Sequence, residues 1–115
     1  MKKKELLTKG KAKELYRTDD ESKLVMDFRD DTSAFDGKKI ETLAGKGTVN
    51  NRFNNFIMNH LSSKGIHCHL LEEINDRESL VLSLDMFPIE CVVRNYAAGS
   101  ICKRLGLKEG MYFEN

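Results

Sequence analysis

The segment from Phe87 to Leu105, FPIECVVRNYAAGSICKRL, constrains the fold more than any other part of the chain. Over Ile89–Val93 one strand face is wholly apolar and Val92 lies on the other with Glu90 and Arg94, which predicts a mostly buried strand. Arg94 follows that strand, and the small residues 97–99 allow a close backbone approach. Ser100 is typical of a helix N-cap, beyond which free N–H groups could face an anion. The order of these parts predicts a phosphate site, and an ordinary capped connection is the alternative.

The composition indicates one small globular domain by size. The chain has 115 residues, of which 40% are apolar and 32% charged. No apolar run approaches the length of a membrane span, and the basic start lacks the apolar core of a secretory signal, so we expect no membrane partner. Cys68, Cys91 and Cys102 match no zinc or redox spacing, which predicts reduced thiols in a cytoplasmic protein.

The balance of charge argues against nucleic acid as a partner. Nineteen basic and 18 acidic residues interleave to a net charge of +1, so any anion site must be local. A nucleic-acid-binding α+β module could use Lys9–Lys13 and Lys103–Arg104 as phosphate contacts, but the chain lacks an aromatic stacking motif. A non-catalytic assembly module that folds against a partner chain is the other alternative.

The turn Lys9–Lys13 is predicted to join two short strands within Glu5–Arg17. Gly10 permits a positive φ or a close approach to a ligand, and lysines at alternate positions place several ammonium groups around it. The pattern fits a cover over a triphosphate, and it also fits a solvated hairpin, the commoner role of a charge run. It is not a P-loop, since no Gly-Lys-Ser or Gly-Lys-Thr follows.

A third strand is predicted over Lys23–Arg29, with Leu24, Met26 and Phe28 directed inward. The following segment, Asp30–Leu43, has no sustained period and contains an Asp-Gly pair at Asp36 and Gly37. We expect a long loop there. Such a loop could close over a charged substrate or could simply be a mobile surface segment.

The clearest helix follows Gly45-Lys46-Gly47. Apolar residues recur at helical spacing, so we expect the phenylalanines Phe53 and Phe56 to lie in the core. Thr48 is expected to cap the start and Gly65 to close the end. Asparagines occupy the other face: Asn50 and Asn51 are candidates for polar contacts near the glycine-rich entry, and Asn54, Asn55 and Asn59 are expected to be solvated.

Two further strands are predicted, Ile66–Ile74 and Leu80–Leu84. His67 and His69 are two residues apart and so face the same way, which permits a metal site; a structural or exposed pair is the alternative, because no third ligand is fixed nearby. Pro88 interrupts strand pairing, and we therefore expect a hinge at residues 85–88.

Taken together, these segments resemble the SAICAR synthetases, the phosphoribosylaminoimidazole-succinocarboxamide synthase family. The resemblance runs almost from end to end and depends on four motifs in the family's order. They are Gly10-Lys11-Ala12-Lys13, FRDDTSAFDGKK from Phe28 to Lys39, KGTVNN from Lys46 to Asn51, and PIECVVRNYAAGS from Pro88 to Ser100 followed by KRLG. The last motif is close to a family signature and is specific, whereas the first alone would be weak.

The resemblance implies a ligase of purine biosynthesis that requires ATP and Mg²⁺. It would couple L-aspartate to the carboxylate of carboxyaminoimidazole ribonucleotide and release SAICAR, ADP and phosphate. Phosphorylation makes the carboxylate reactive, and the aspartate amine then attacks the acyl phosphate. Positioning and charge neutralisation dominate such chemistry, so no catalytic side chain is assigned within this chain.

The same resemblance assigns residues to the ligands. Gly10, Lys11, Ala12 and Lys13 would form the hairpin over the ATP phosphates, and Asp85, Met86 and Phe87 would belong to the hinge whose backbone meets adenine. Asp36, Gly37 and Lys38 would belong to a loop closing on the substrate, and Arg94, Gly99 and Ser100 would bind the ribonucleotide at its phosphate.

The implied fold is α+β, an antiparallel sheet with one long helix like the small lobe of a kinase, plus the start of a second domain. Residues 1–85 would form the ATP-binding domain, and residues 86–115 the hinge and the truncated beginning of the next domain. The family's acidic Asp-x-Lys-x-Glu-Phe-Gly segment, whose carboxylates would hold magnesium, is absent from these 115 residues. We therefore expect an amino-terminal half with no metal ligands, inactive alone, from a homo-oligomeric enzyme.

Overall fold

A computed structural model describes residues 1–34 and 39–114. The chain divides into two compact units, Met1–Asp85 and Met86–Asn115. The first unit holds the strands β1 (Leu6–Lys9), β2 (Lys13–Arg17), β3 (Lys23–Phe28), β4 (Asp31–Ala34), β5 (Lys39–Thr42), β6 (Leu70–Glu73) and β7 (Glu78–Leu82) and the helix α1 (Lys46–Ser63); the second holds the helix α2 (Ser100–Leu105). Neither helix combines the length and the apolar character needed to cross a bilayer, a finding that covers only the described residues.

Five strands of the first unit form an antiparallel sheet in the order β1-β2-β3-β7-β6. Together with α1, this sheet confirms the predicted α+β class. The register places Leu24 opposite Val81 and Met26 opposite Leu15, so these residues share one face. With Phe28 they form the apolar cluster of the unit, and the predicted inward face of the third strand is confirmed.

The segment before β1 lies against the other face of the sheet. Lys3 Nζ donates to Asp27 Oδ2 at 2.7 Å and to Glu78 Oε1 at 2.6 Å. Val25 and Leu80, opposite each other on β3 and β7, are buried on this face. The strands β3 and β7 are therefore buried on both sides, which explains why the adjacent residues Ser79, Leu80 and Val81 of β7 are all buried.

The predicted loop Asp30–Leu43 contains an antiparallel hairpin of β4 and β5, so that prediction is wrong. Backbone pairing runs from Asp31 opposite Thr42 to Ala34 opposite Lys39. Alternating hydrophobicity arises when one face of a strand is buried, whereas the described side chains of this hairpin are half-buried or exposed. The pattern therefore carried no strand signal, and residues 36–38 lie outside the described residues.

Helix α1 begins earlier than predicted. Gly45, with φ of 83° in the left-handed region, precedes the first helical residue, Lys46. Thr48 therefore lies inside the helix, and its predicted capping role is wrong. The side chain that caps the helix comes from another element, since the Gly47 N–H donates to Asp30 Oδ1 at 2.8 Å.

The end of α1 is formed by Gly65, as predicted. Its φ is 81°, and its N–H donates to the Ser62 carbonyl at 3.0 Å. The next N–H, that of Ile66, donates to the Leu61 carbonyl at 3.1 Å. These two bonds satisfy carbonyl groups that the helix itself leaves without partners.

The face of α1 that packs on the sheet is polar. Gly47, Asn51 and Asn55 recur every four residues and are buried. Ser79 of β7 lies against them: its Oγ donates to Asn51 Oδ1 at 2.7 Å, and Asn55 Nδ2 donates to the same Oγ at 2.9 Å. Each buried polar group thus has a partner, which removes most of the cost of its burial.

The apolar face of α1 lies outside. Phe53 and Phe56 are 67% and 68% exposed, so the predictions of a phenylalanine core and a solvated Asn55 are wrong. The helix start explains the reversal, because a Cβ on Gly47 would lie only 2.3 Å from the Phe28 carbonyl oxygen. A helix this close to β3 has room for short side chains, and periodicity alone cannot tell which of its two faces is inside.

The last two strands of the sheet are displaced from their predicted positions. β6 covers only the second half of the predicted Ile66–Ile74, and β7 begins two residues before Leu80. Asn75 Oδ1 accepts the backbone N–H groups of Arg77 at 2.9 Å and Glu78 at 3.0 Å. This side-chain turn reverses the chain early and lets pairing start at Glu78.

In the second unit, the predicted strand Ile89–Val93 does not form, and its residues are exposed. Ala97 is fully buried, and Tyr96 pairs with Tyr112, their ring centroids 5.2 Å apart. Helix α2 starts at Ser100 itself, with Gly99 in the capping position, so the serine is not the predicted N-cap. Alternation predicts a strand only where a sheet is available to pair with it, and α2 is the one regular element described in this unit.

Candidate phosphate-binding sites

The turn between β1 and β2 presents two free ammonium groups. The Gly10 N–H donates to the Lys13 carbonyl at 2.8 Å, which closes the turn. Lys9 Nζ is paired with Glu14 Oε1 at 3.2 Å. Lys11 and Lys13 are exposed, and within the described residues neither forms an ion pair. The turn thus offers two uncompensated cations to an anionic ligand.

Lys13 also acts electrostatically on His69. Burial lowers the pKa of His69, and the charge of Lys13 lowers it further. His69 Nε2 is shut off from solvent and has no hydrogen-bond partner within the described residues, whereas His67 is exposed. No three His, Cys, Asp or Glu side chains come together over residues 1–34 and 39–114, so the predicted pair of histidines gains no third ligand there.

Arg29, which is not among the predicted site residues, connects the turn to the β4–β5 hairpin. Its Nη1 donates to the Gly10 carbonyl at 3.1 Å, and its Nη2 pairs with Asp31 Oδ2. Its backbone N–H donates to the Ala12 carbonyl at 2.8 Å. In the sequence, Arg29 is marked only by its position at the end of an inward-alternating strand, directly before two aspartates, and that position does not by itself indicate a site.

Asp30 holds the start of α1 and the base of the hairpin together. Its Oδ1 accepts the Gly47 N–H at 2.8 Å, and its backbone carbonyl accepts the Leu43 N–H at 2.9 Å. The Gly47 amide is the main cause that lowers the pKa of Asp30, and the charge of Arg77 contributes. Arg77 Nη2 also donates to the Phe28 carbonyl at 2.8 Å, which ties β7 to the same point.

In the second unit, Arg94 and Ser100 line one cleft of about 780 Å³. Arg104 lines it too, so two guanidinium groups and a hydroxyl face the same space, together with the carboxylate of Glu90. Gly99 has φ of 66°, and a Cβ there would lie 3.6 Å from Arg94 Nη2. The positive charge of this cleft comes from the arginine side chains. Ser100 does not cap the short helix as predicted.

The other predicted site residues that the structure describes, Asp85, Met86 and Phe87, are not among the residues of the turn or of this cleft. Asp85, Met86 and Phe87 are exposed, the last at 87%. Asp36, Gly37 and Lys38 lie outside the described residues. A further cleft of about 500 Å³ in the first unit is lined by charges that pair with each other, such as Lys4 with Asp19 at 2.8 Å. It therefore offers less to an anion than the turn does.

Comparison with known proteins identifies the family. The SAICAR synthetase model matches residues 6–115. A curated phosphoribosylaminoimidazole-succinocarboxamide synthase of Psychrobacter cryohalolentis is 61% identical over 110 residues, which are 96% of this chain and 46% of that protein. The crystal structure of the Ehrlichia chaffeensis synthase matches with a TM-score of 0.86 at 37% identity and covers 96% of this chain and 47% of that one.

A solved SAICAR synthetase in complex with ADP gives the same TM-score of 0.86, at 40% identity and the same two coverages, 96% and 47%. The chain spans about half the length of the curated relatives it matches. The family model nevertheless accounts for almost every residue present. This chain belongs to the SAICAR synthetase family.

Proposed function

We propose that this chain supplies the ATP-phosphate and ribonucleotide-phosphate sites of an ATP-dependent ligase of purine biosynthesis. The reaction joins L-aspartate to the carboxylate of carboxyaminoimidazole ribonucleotide and releases SAICAR, ADP and phosphate. One observation carries the proposal: Lys11 and Lys13 keep exposed, unpaired ammonium groups on a turn whose backbone is held by hydrogen bonds. The ADP complex of a solved relative supports a nucleotide as the ligand.

At the turn, Lys11 and Lys13 would neutralise the phosphates while Gly10 and Ala12 bring the backbone close. The carbonyl oxygens of Gly10 and Ala12 already accept hydrogen bonds from Arg29, at 3.1 Å and 2.8 Å. A carbonyl with a donor partner repels a phosphate oxygen less than a free one. The residues Asp85, Met86 and Phe87 are proposed to meet adenine.

In the second unit, Arg94, Gly99 and Ser100 would hold the phosphate of the ribonucleotide. Arg94 and Ser100 line one cleft, and Gly99 leaves space beside the Arg94 guanidinium. Arginine binds phosphate with parallel N–H donors, which gives orientation as well as charge. Residues 36–38, outside the described part of the chain, are proposed to close on the same substrate.

The chemistry proposed for the whole enzyme has two steps. The γ-phosphoryl group of ATP passes to a carboxylate oxygen of the ribonucleotide, which gives an acyl phosphate and ADP. The aspartate amine then attacks the acyl carbon, a C–N bond forms, and phosphate and a proton leave. The chain's residues would hold the reactants and neutralise charge. When bound, Mg²⁺ would add charge neutralisation at the ATP phosphates.

The test joins this chain to the remaining residues of the Psychrobacter cryohalolentis relative. We expect the fused protein to release ADP only when both aspartate and the ribonucleotide are present, and the 115 residues alone to release none. The double variant K11A/K13A should lower kcat/KM for ATP by roughly 100-fold, the loss typical when charge-stabilising donors are removed. ADP release by the 115 residues alone would contradict the proposed inactivity.

Lys9→Ala is the matched control. Its ammonium is on the same turn but is already paired with Glu14, so we expect its loss to change kcat/KM by less than about threefold. An equal loss in K9A and in K11A/K13A would show that the free cations have no special role.

A further inference from the structure

The glycine–lysine turn (Lys9–Lys13) and the β4–β5 hairpin are distinct segments that share one side chain. Arg29 Nη1 reaches the Gly10 carbonyl, and Nη2 reaches the Asp31 carboxylate. The Arg29 side chain is 22% exposed: its bond to the Asp31 carboxylate is partly buried, whereas its bond to the Gly10 carbonyl is exposed. Within the described ranges, Arg29 is the side chain whose hydrogen bonds reach both segments.

The Arg29 guanidinium is shared among several acceptors. Glu14 Oε1 lies 3.7 Å from Arg29 Nε, so one guanidinium serves two carboxylates and one carbonyl. Lys9 Nζ also pairs with Glu14 Oε1, at 3.2 Å. A change at the turn that weakens the bond to the Gly10 carbonyl therefore alters how the guanidinium is shared with Asp31.

Two further hydrogen bonds described at the base of the hairpin do not connect it to the turn. Lys46 Nζ donates to the Asp31 carbonyl at 2.7 Å, and the Leu43 N–H donates to the Asp30 carbonyl at 2.9 Å. Both bonds connect the hairpin to its own flanks and to the start of α1, and neither touches the turn. Among the contacts of the described residues, those of Arg29 thus connect the two segments directly.

We propose that Arg29 is a positioning residue that couples the glycine–lysine turn to the β4–β5 hairpin, so that a phosphate bound at the turn changes the order of the hairpin. The proposed function supplies only the identity of that ligand. The coupling itself is a property of the unliganded chain. The order of the turn and the order of the hairpin are then coupled, so a change in either segment alters the other.

The first test is a double-mutant cycle on the unliganded chain, in which amide hydrogen exchange is the measured quantity. Asp31→Asn lies in the hairpin, yet we expect it to speed exchange of the Gly10 amide by roughly fivefold when Arg29 is present. In the Arg29→Gln background the same substitution should change that rate by less than about twofold. An equal effect in both backgrounds, or none in either, would overturn the coupling.

Two controls separate coupling from loss of structure. Exchange at Met26, in the centre of the sheet, should be the same in all four proteins, and a general rise there would contradict a local role. Arg52→Gln removes another arginine that pairs with a carboxylate, Asp76, at 2.8 Å. It should leave the Asp31→Asn effect on Gly10 intact.

The second test adds ATP to the same proteins. With Arg29 present, we expect slower exchange at Gly10 and also at Leu43, at the base of the hairpin. In Arg29→Gln only Gly10 should respond, and an equal response at Leu43 would overturn the proposal. If ATP leaves Gly10 unchanged in the natural sequence, the nucleotide role of the turn fails, while the double-mutant cycle still decides the coupling.

Discussion

The glycine–lysine turn and the Arg94 cleft differ in what holds them in place. The turn joins two strands of a five-stranded sheet, and a bond between Gly10 and Lys13 closes its backbone. The cleft belongs to a unit in which Ala97 is buried but Val93 is 95% exposed. The first candidate site is part of a packed scaffold, whereas the second depends on a few local contacts.

This difference shows that the specificity of a motif and its packing are separate properties. PIECVVRNYAAGS is the most specific motif of the chain, yet most of its apolar residues are exposed. The motif at residues 10–13 is short and weak, yet hydrogen bonds to Lys13 and Arg29 hold its backbone in place. Residues selected for contact with a ligand need not be buried in the absence of that ligand, so burial is a poor guide to such a site.

We expect the largest effect from Gly47→Ala, which disrupts the packing of the unit that holds the glycine–lysine turn. The new Cβ would lie 2.3 Å from the Phe28 carbonyl and 3.0 Å from Asp30 Oδ1, so α1 must move away from β3. We expect the free energy of unfolding of the first unit to fall by about 3 kcal/mol. Urea unfolding followed by far-UV circular dichroism measures it.

Thr48→Ala is the control for this change, because Thr48 lies inside the helix and does not cap it. Its effect should stay within about 0.5 kcal/mol. A loss in T48A as large as that in G47A would indicate that the helix begins where the sequence predicted. Exchange rates in residues 86–114 should be unchanged in both variants.

A smaller loss is expected from Ser79→Ala. The hydroxyl bonds both Asn51 and Asn55, and its removal takes away the donor that the described residues supply to the buried Asn51 Oδ1, which costs about 2 kcal/mol. Phe56→Ala, by contrast, should change stability by less than about 0.5 kcal/mol, because that ring is 68% exposed. Thermal unfolding of both variants decides which face of α1 is inside, and a larger loss in F56A would contradict the polar face.

The pH dependence should show a modest contribution from His69. Burial and the charge of Lys13 lower its pKa below the ordinary 6.5, so the unfolded chain binds this proton more readily than the folded chain. Stability from this source is present above about pH 6.5 and is lost as the pH falls. His69→Gln should therefore lose less stability between pH 7.5 and pH 5, measured by urea unfolding at each pH.

His60→Gln provides the comparison for that slope, since His60 is exposed on α1. It should keep the pH dependence of the natural sequence. An H69Q slope identical to the slopes of H60Q and the natural sequence would remove His69 as a contributor.

The smallest effect on stability is expected at the second site. Arg94 is exposed, and Arg94→Ala should change the free energy of unfolding by less than about 0.5 kcal/mol. Binding of ribose 5-phosphate, measured by calorimetry, should nevertheless weaken by roughly tenfold or more, because an arginine–phosphate contact is lost. A large loss of stability would show that Arg94 serves the packing of its unit.

Local patterns were sufficient for much of the scaffold. Alternation at Leu24, Met26 and Phe28 located β3, and Gly65 located the end of α1. The polar face of α1 was missed because it depends on Ser79, which is distant in sequence from its asparagine partners. The β4–β5 hairpin was missed because none of its described side chains is buried, so no alternation of apolar and polar residues marks it.

The candidate sites were predictable to different degrees. The lysines at 11 and 13 stand out by their spacing around a glycine, and Arg94 and Ser100 stand out by the motif that contains them. Arg29 could not be found in this way, since its importance arises from two segments that meet only in the folded chain. A charged residue at the end of a strand is common and carries no such information alone.

Amide exchange of this chain, measured once with ATP and once with ribose 5-phosphate, tests the two-site account most directly. We predict that ATP slows exchange at Gly10 in the first unit and that ribose 5-phosphate slows exchange over residues 99–102 in the second. If both ligands protect the same unit, or if ATP protects residues 99–102 and leaves Gly10 unchanged, the division of the phosphates between the turn and the Arg94 cleft is wrong.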